Sequence, residues 1–355
     1  MSAPATSIPQ GKTLVTGASG HVGANLVRRL LADGVDVRVL VHPKHNNRGV
    51  EGLPVERMEG DLRDLDVVRR AVTGCVRVYH TGAKVSVTSP SPARTRELWE
   101  INVMGTQNVM QSALRAGVAR VCLTSSFSTV GFHADDPSRP CAEDLPFYPF
   151  IDWMPYSRTK VLAEVETFKA IADGLDAVIA ISTGVCGQHD YMPSRTGNVL
   201  LSYARGKFRA YIPGGYEAVS VDDLARGHVL AMERGRTGQR YTISTRYVTM
   251  DEMLDLFAEV TGKRRTQRKL PPKLMATVAR AVSGTMTALF PDVPQHLTPG
   301  AVLVLSMQRR ADISKARKEL GYEPGTIEPA VRAWHEFFAS EGMIEGKIEG
   351  KFLGR

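Results

Sequence analysis

"TLVTGASGHVG", Thr13 to Gly23, sets how the rest of the chain is read. Thr13–Thr16 has the apolar, β-branched character of a short strand. Val22–Asp33 has the apolar spacing of a helix, and Gly17, Gly20 and Gly23 form the turn between them. Such a turn reverses the chain sharply, brings main-chain N–H groups against a pyrophosphate and lets the helix pack closely on a sheet. The spacing is G-x-x-G-x-x-G rather than the simpler G-x-G-x-x-G. A glycine turn without a ligand would look the same, so the neighbouring segments decide.

Working outward, short β-branched runs alternate with helical patterns. Further strand candidates are Val35–Val41, Val55–Met58, Val76–His80, Arg120–Thr124 and Asp176–Ser182, with helical spacing at 64–72 and 94–116. This alternation predicts an α/β fold, a Rossmann-type doubly wound parallel sheet whose ligand lies beyond the carboxyl ends of the strands. After about residue 187 the rhythm changes. "GQHDYMPSRTGN" reads as a loop and "NVLLSYARGK" as a helix. "VSVDDLARGHVLAMERG" reads as a short strand and then a helix capped near Asp222 or Asp223 and stopped at Gly235. Residues 250–339 read as mostly helical. The expected division is a dinucleotide-binding part, 10–187 with 219–245, and a smaller substrate lobe, 188–218 with 246–339. Residues 340–355, with their Glu-Gly-Lys near-repeat, read as a mobile tail.

Composition bounds the function. The 355 residues are 43% hydrophobic and 23% charged, which is ordinary globular material. Neither a secretory leader nor a membrane-spanning stretch is read. Cys75, Cys122, Cys141 and Cys186 are scattered without paired spacing, so no disulfide framework and no metal site are read, and a cytoplasmic setting fits. The net charge is +8, from 45 basic and 37 acidic residues. Its densest run, "GKRRTQRK" at 262–269, reads as a solvated linker. Without interleaved aromatics it does not read as a nucleic-acid surface.

Several side chains are candidates for chemistry. The second strand ends in "VRVLVHPKHNNR", where an Asp or Glu would meet the 2′-hydroxyl of NAD. His42 stands there instead, with Lys44, His45 and Arg48 close by, which favours NADP(H) while leaving NAD(H) open; an exposed basic loop is the plainer alternative. Asp61, after the third strand, suits an adenine amino group or a helix N-cap, and Asp64 can cap in its place. Tyr156 and Lys160 lie four apart on one helix face. A neighbouring ammonium favours the phenolate and would lower the Tyr156 pKa, which suits proton transfer to a carbonyl. Thr124–Ser126 ends the fifth strand and so points at the same crevice. The plainer reading of the Tyr–Lys pair is a surface helix contact.

Thr16–Gly23, Asp61-Leu62, "HTGA" (80–83), "NVMGT" (102–106), "TSS" (124–126) and "YSRTKVLAE" (156–164) together resemble the extended short-chain dehydrogenase/reductases. "VSVDDLARGH" and "KARKELGYEP" resemble segments of that family's C-terminal lobe, so the likeness spans nearly the whole chain. It implies that Tyr156 is the acid or base, that Lys160 tunes it and holds ribose hydroxyls, that Ser126 orients the carbonyl, and that Asn102 supports the site from behind. Ser126 is preferred to Ser125 because it stands five residues before Gly131. The implied cofactor contacts are Gly17, Ser19, Gly20, His21, Val22, Gly23, His42, Lys44, Asp61, Leu62, Thr81, Gly82, Ala83, Thr124, Tyr156, Lys160, Thr183 and Val185.

Two departures bear on substrate. "STVG" lacks the tyrosine of the family's V-Y-G, and "ISTGVCGQHD" lacks the Arg and Asn that relatives acting on nucleotide sugars carry. The C-terminal half resembles the dihydroflavonol reductase and 3β-hydroxysteroid dehydrogenase branch, which implies an apolar, ring-containing ketone or alcohol. A nucleotide-sugar epimerase or dehydratase with retained NAD is the alternative, and a non-catalytic sensor is a third. The apolar stretch 270–291 reads as lobe core, as a pocket wall, or as a peripheral membrane contact. A monomer and a homodimer both remain open.

Overall fold

The computed structural model describes residues 10–85, 91–133, 135–136, 138–148, 154–271 and 299–345. Seven parallel strands form the main sheet: β1 (Thr13–Thr16), β2 (Val37–Val41), β3 (Glu56–Glu59), β4 (Arg77–His80), β5 (Arg120–Ser126), β6 (Ala177–Ser182) and, further along the chain, β9 (Arg240–Ile243). Their order is β3-β2-β1-β4-β5-β6-β9. The order reverses between β1 and β4, and a doubly wound sheet opens its ligand crevice at such a point.

Alternation along the strands supplies both faces. Val15, Val39, Val41, Tyr79 and Cys122 pack with α1 (His21–Ala32) and α7 (Val221–Arg234). Leu14, Leu40, Val78, Val121 and Leu123 pack with α2 (Leu65–Val72) and α4 (Gly105–Arg115) on the other side. Adjacent strand residues point to opposite faces, so near-continuous apolar runs are what a sheet covered twice requires.

The predicted helix at 94–116 is interrupted. It begins as α3 (Pro92–Trp99), widens into a π-turn at Glu100–Met104 and resumes as α4. The extra residue in that turn carries Asn102, and π-turns of this kind are common at functional sites. The next helix, α5 (Pro155–Ala172), packs beside it and carries Tyr156 and Lys160.

A smaller sheet, β10-β8-β7, joins β7 (Gly184–Cys186), β8 (Gly215–Ser220) and β10 (Arg246–Thr249). β7, β9 and β10 were not among the expected strands; each is a short segment defined by its pairing, β7 and β10 with β8 and β9 with β6. Below this sheet, α6 (Arg195–Ala204), α8 (Met250–Thr261) and the helix Glu328–Ser340 share a core with Trp334, Phe257 and Phe338 at its centre.

Three expectations change. The cap of α7 is Ser220, not Asp222 or Asp223: its hydroxyl accepts from the Asp223 N–H at 3.0 Å, and the helix starts at Val221. Ser220→Ala should therefore cost about 1 kcal/mol in urea-melt stability. Residues 341–345 of the expected mobile tail are packed: Met343 is buried and its carbonyl accepts from Arg205. In the basic run, Arg265 pairs with Asp251 and Asp255, and Lys269 with Asp251, so part of its charge is balanced within the lobe. Most of the apolar stretch 270–291 lies outside the described residues, as does the tail beyond 345.

Candidate active site

The candidate residues gather at the carboxyl ends of β1 to β6. Gly17 has φ +66°, and a Cβ there would stand 2.4 Å from Gly82 Cα. A Cβ on Gly23 would stand 2.3 Å from the Gly17 carbonyl oxygen. The turns after β1 and β4 thus touch main chain to main chain and form a floor without side chains. α2, α6, α7 and α8 are capped by Asp64, Ser194, Ser220 and Thr249, whereas α1 begins at Gly20 with no side-chain cap. Its first-turn N–H groups are donors suited to an anion, so the cradle fits a dinucleotide pyrophosphate. Ser19 is buried there. The His21 ring turns away: its Nε2 donates to the Gly187 carbonyl at 3.0 Å and the ring stacks on Trp334. His21 and Val22 therefore offer the crevice their main chain.

After β2, the Lys44 N–H donates to His42 Nδ1 at 3.2 Å, so the ring proton lies on Nε2 and points at Asp61 Oδ2, 3.3 Å away. Burial alone would raise the Asp61 pKa. Hydrogen bonds from the Arg63 side chain and N–H, with the guanidinium charge, outweigh burial and hold it at about 2. Asp64 caps α2, as the sequence allowed, which leaves Asp61 to the crevice. Asn108 Nδ2 donates to the Leu62 carbonyl at 2.9 Å and fixes that turn. Arg48 instead pairs with Glu341 and lies over the Tyr191 ring.

Behind the crevice runs a buried polar chain that the sequence did not reveal. Thr16 Oγ1 donates to His80 Nδ1 (2.7 Å), His80 Nε2 donates to Thr106 Oγ1 (3.0 Å), and Thr106 donates to the Asn102 carbonyl (2.6 Å). Burial pushes His80 down to about 3, so it is neutral and its tautomer is fixed by its partners. The Asn102 amide accepts from the Lys84 N–H (2.7 Å), donates to the Lys84 carbonyl (2.9 Å) and reaches Thr159 (3.0 Å). One side chain in the π-turn thus ties the loop after β4, with Thr81, Gly82 and Ala83, to α5. The Thr81 hydroxyl is engaged with the Thr16 carbonyl at 2.7 Å.

The Tyr156 phenol meets the Ser126 hydroxyl; burial raises its pKa to about 12 and that hydrogen bond holds it back. The expected lowering by Lys160 is not what the geometry gives. Lys160 is buried and its ammonium donates to the Thr124 carbonyl at 2.7 Å. Burial lowers its pKa to about 8, with Glu164 opposing. The Thr124 hydroxyl donates to His228 Nε2 at 2.7 Å, because His228 Nδ1 gives its proton to the Leu224 carbonyl. The Ser125 hydroxyl is engaged with Glu164, whereas Ser126 lies beside the Tyr156 phenol. Thr183 is engaged with the Ile243 carbonyl and Ser244, and Val185 pairs with Val219 in the small sheet.

Two supports come from distant sequence. Arg240 of β9 forms a buried 2.8 Å ion pair with Glu164, and its other nitrogens reach the Glu143 carbonyl and Thr129. Arg309, just past the helix Pro299–Met307, donates to the carbonyls of Phe127, Val130 and Gly131, and its guanidinium lies among the rings of Phe127, Phe132 and Tyr148. It grips the loop that follows Ser126. No motif pointed to Arg240 or Arg309, since each works by charge across the fold.

Lys160 makes a pH prediction. An unfolded chain holds this proton to about pH 10.5, whereas the folded chain releases it at about 8. Between those values the unfolded state binds more protons, so this group's contribution to stability rises with pH. Lys160→Met should be more stable than the wild type at pH 7, with the gap closing toward pH 10 in paired urea melts.

A doubly wound sheet, a side-chain-free phosphate cradle and a Ser–Tyr–Lys cluster define a dinucleotide-dependent oxidoreductase of the short-chain dehydrogenase/reductase type. Residues 13–244 match the NAD dependent epimerase/dehydratase family, and the chain belongs to that family. It is 37% identical over 332 residues to sterol demethylase protein B of Methylococcus capsulatus, covering 94% of this chain and 99% of that one. It is 30% identical to a 3 beta-hydroxysteroid dehydrogenase/Delta 5-->4-isomerase of Mycobacterium tuberculosis, over 88% of this chain and 86% of the relative. Among solved structures, that of gox2253 superposes with a TM-score of 0.81 at 30% identity, covering 94% of this chain and all of the other. No helix among the described residues is long and apolar enough to cross a membrane.

Proposed function

We propose that this chain interconverts a ketone and a secondary alcohol on an apolar ring system of the sterol or steroid class, with NADP(H) preferred to NAD(H). The observation that carries the reading is the meeting of Ser126 with Tyr156, above buried Lys160 and beside the uncapped turn of α1. The ring class is supported by relatives whose names specify a sterol and a hydroxysteroid. The absence of an acid at His42, with Lys44 exposed beside it, supports the cofactor preference.

A bound nicotinamide supplies or accepts the hydride. Tyr156, kept protonated at neutral pH by burial, donates its phenolic proton to the carbonyl oxygen in the reductive direction and recovers it in the other. Ser126 donates to the same oxygen and fixes its place. Lys160, held by Thr124, offers its remaining protons to ribose hydroxyls. Asn102 keeps α5 in register with the loop after β4. We place the enzyme in the cytoplasm, in keeping with four free, buried cysteines.

The test is consumption of NADPH and of NADH by purified protein with 3-oxosteroids and 3-oxosterols, beside UDP-glucose with added NAD. Faster NADPH consumption with the ring ketones is expected. If the ketones are inert and the sugar nucleotide is converted with NAD retained on the protein, the family's epimerase chemistry replaces this reading.

A further inference from the structure

Ser126 ends β5 and its hydroxyl oxygen sits over a single 3₁₀ turn, Phe127–Thr129. That oxygen has two neighbours from one residue: the Ser128 main-chain N–H at 3.3 Å and the Ser128 hydroxyl at 3.0 Å. A serine oxygen has two lone pairs and one proton. Among the described residues, the Ser128 hydroxyl has no partner other than Ser126. The turn is held rigid around it. Thr129 Oγ1 shares its one proton between the Ser126 carbonyl at 2.9 Å and Glu164 at 2.8 Å, Val130 N–H bonds the Phe127 carbonyl at 3.2 Å, and Arg309 grips the carbonyls on either side.

We propose that Ser128 is a positioning residue that makes Ser126 an obligate donor: its N–H and its hydroxyl fill both lone pairs of Ser126 Oγ, so the Ser126 proton can only point outward, to the Tyr156 oxygen and to the oxygen of a bound ketone. The part concerning the ketone rests on the proposed function; the part concerning Tyr156 stands without it. Without the Ser128 hydroxyl, Ser126 keeps one filled lone pair and is free to rotate its proton away from the crevice. The main-chain N–H that caps the turn is untouched by a side-chain change. A merely structural Ser128 would therefore affect folding, whereas a positioning one affects the direction of the Ser126 proton.

The experiment compares Ser128→Ala, Ser128→Thr, Ser126→Ala and the Ser126→Ala/Ser128→Ala double variant in two readouts. In steady-state reduction of a 3-oxosteroid, Ser128→Ala should lower kcat about tenfold with KM little changed, Ser128→Thr should recover most of the rate, and the double variant should match Ser126→Ala alone. The second readout needs no turnover. In protein labelled with ζ-¹³C tyrosine, the Tyr156 resonance, assigned by its loss in Tyr156→Phe, should shift in Ser128→Ala in the same sense as in Ser126→Ala, and return in Ser128→Thr. A Tyr156 resonance that moves in Ser126→Ala but stays put in Ser128→Ala overturns the proposal. So does an undiminished kcat in Ser128→Ala, or a further loss when Ser128→Ala is added to Ser126→Ala. If the wild type reduces no ketone while the resonance behaves as stated, the functional reading fails and the positioning of Ser126 survives.

Discussion

Tyr156→Phe is expected to lower kcat for ketone reduction by about 10²- to 10⁴-fold, the usual contribution of a positioned acid or base. Only one oxygen is lost. The ring stays in its place on α5, and the cradle formed by Gly17, Gly20, Gly23 and Gly82 lies on other elements. Dinucleotide affinity, measured by quenching of intrinsic fluorescence, should therefore change by no more than about twofold. A variant that still reduces ketones at more than about a tenth of the wild-type rate would remove Tyr156 from the chemistry. Its pH behaviour adds a check. Burial keeps the phenol protonated up to about pH 12, so in the wild type the reductive rate should not fall through loss of this proton between pH 6 and 9, whereas alcohol oxidation, which needs the phenolate, should rise with pH over that range.

Arg240→Met should have the largest effect on stability. Glu164 is fully buried, and Arg240 is its only ion-pair partner within 4 Å among the described residues, with the Lys160 charge farther off; Ser125 and Thr129 supply neutral donors. Removing the guanidinium leaves a carboxylate without its contacting ion-pair partner in the protein interior. Breaking such a pair from one side costs about 3–5 kcal/mol, enough to threaten the fold of an ordinary protein. Adding Glu164→Gln to Arg240→Met should recover part of the loss in urea melts, since the stranded charge is then gone. A single variant that melts with the wild type would mean that water reaches Glu164. Because Glu164 also receives the Ser125 hydroxyl, next to Ser126, the same variant should disturb the end of β5.

The sequence was most informative where one residue type serves one local need. Gly17 and Gly23 were legible because only glycine allows those close approaches, and the strand–turn–helix pattern placed them. Of the two caps the sequence left open for α2, Asp61 and Asp64, the structure uses Asp64. Residues that act across the fold were not legible. His228 fixes the Thr124 hydroxyl from α7, and His80 joins β1 to α4, but a lone histidine in an apolar run carries no mark of its partner. The effect of Lys160 on Tyr156 was misjudged for a related reason. Four-residue spacing puts both on one helix face, but the ammonium takes the nearer carbonyl of Thr124, and burial decides the phenol's pKa. The three short strands β7, β9 and β10 exist because neighbouring strands pair with them, and they lie outside the strand–helix alternation that marked the others.

Arg309 bears on how this chain could be re-engineered. Every motif that marks the chemistry lies before residue 165, so a graft of that half onto the specificity-determining half of a relative looks straightforward on paper. Yet the loop behind Ser126 is clasped by a guanidinium from the far end of the chain. A chimaera joined anywhere between Gly131 and Arg309 must bring an arginine back to the same three carbonyls, with aromatic rings to receive it. Hybrids lacking that arginine should bind dinucleotide and turn over poorly.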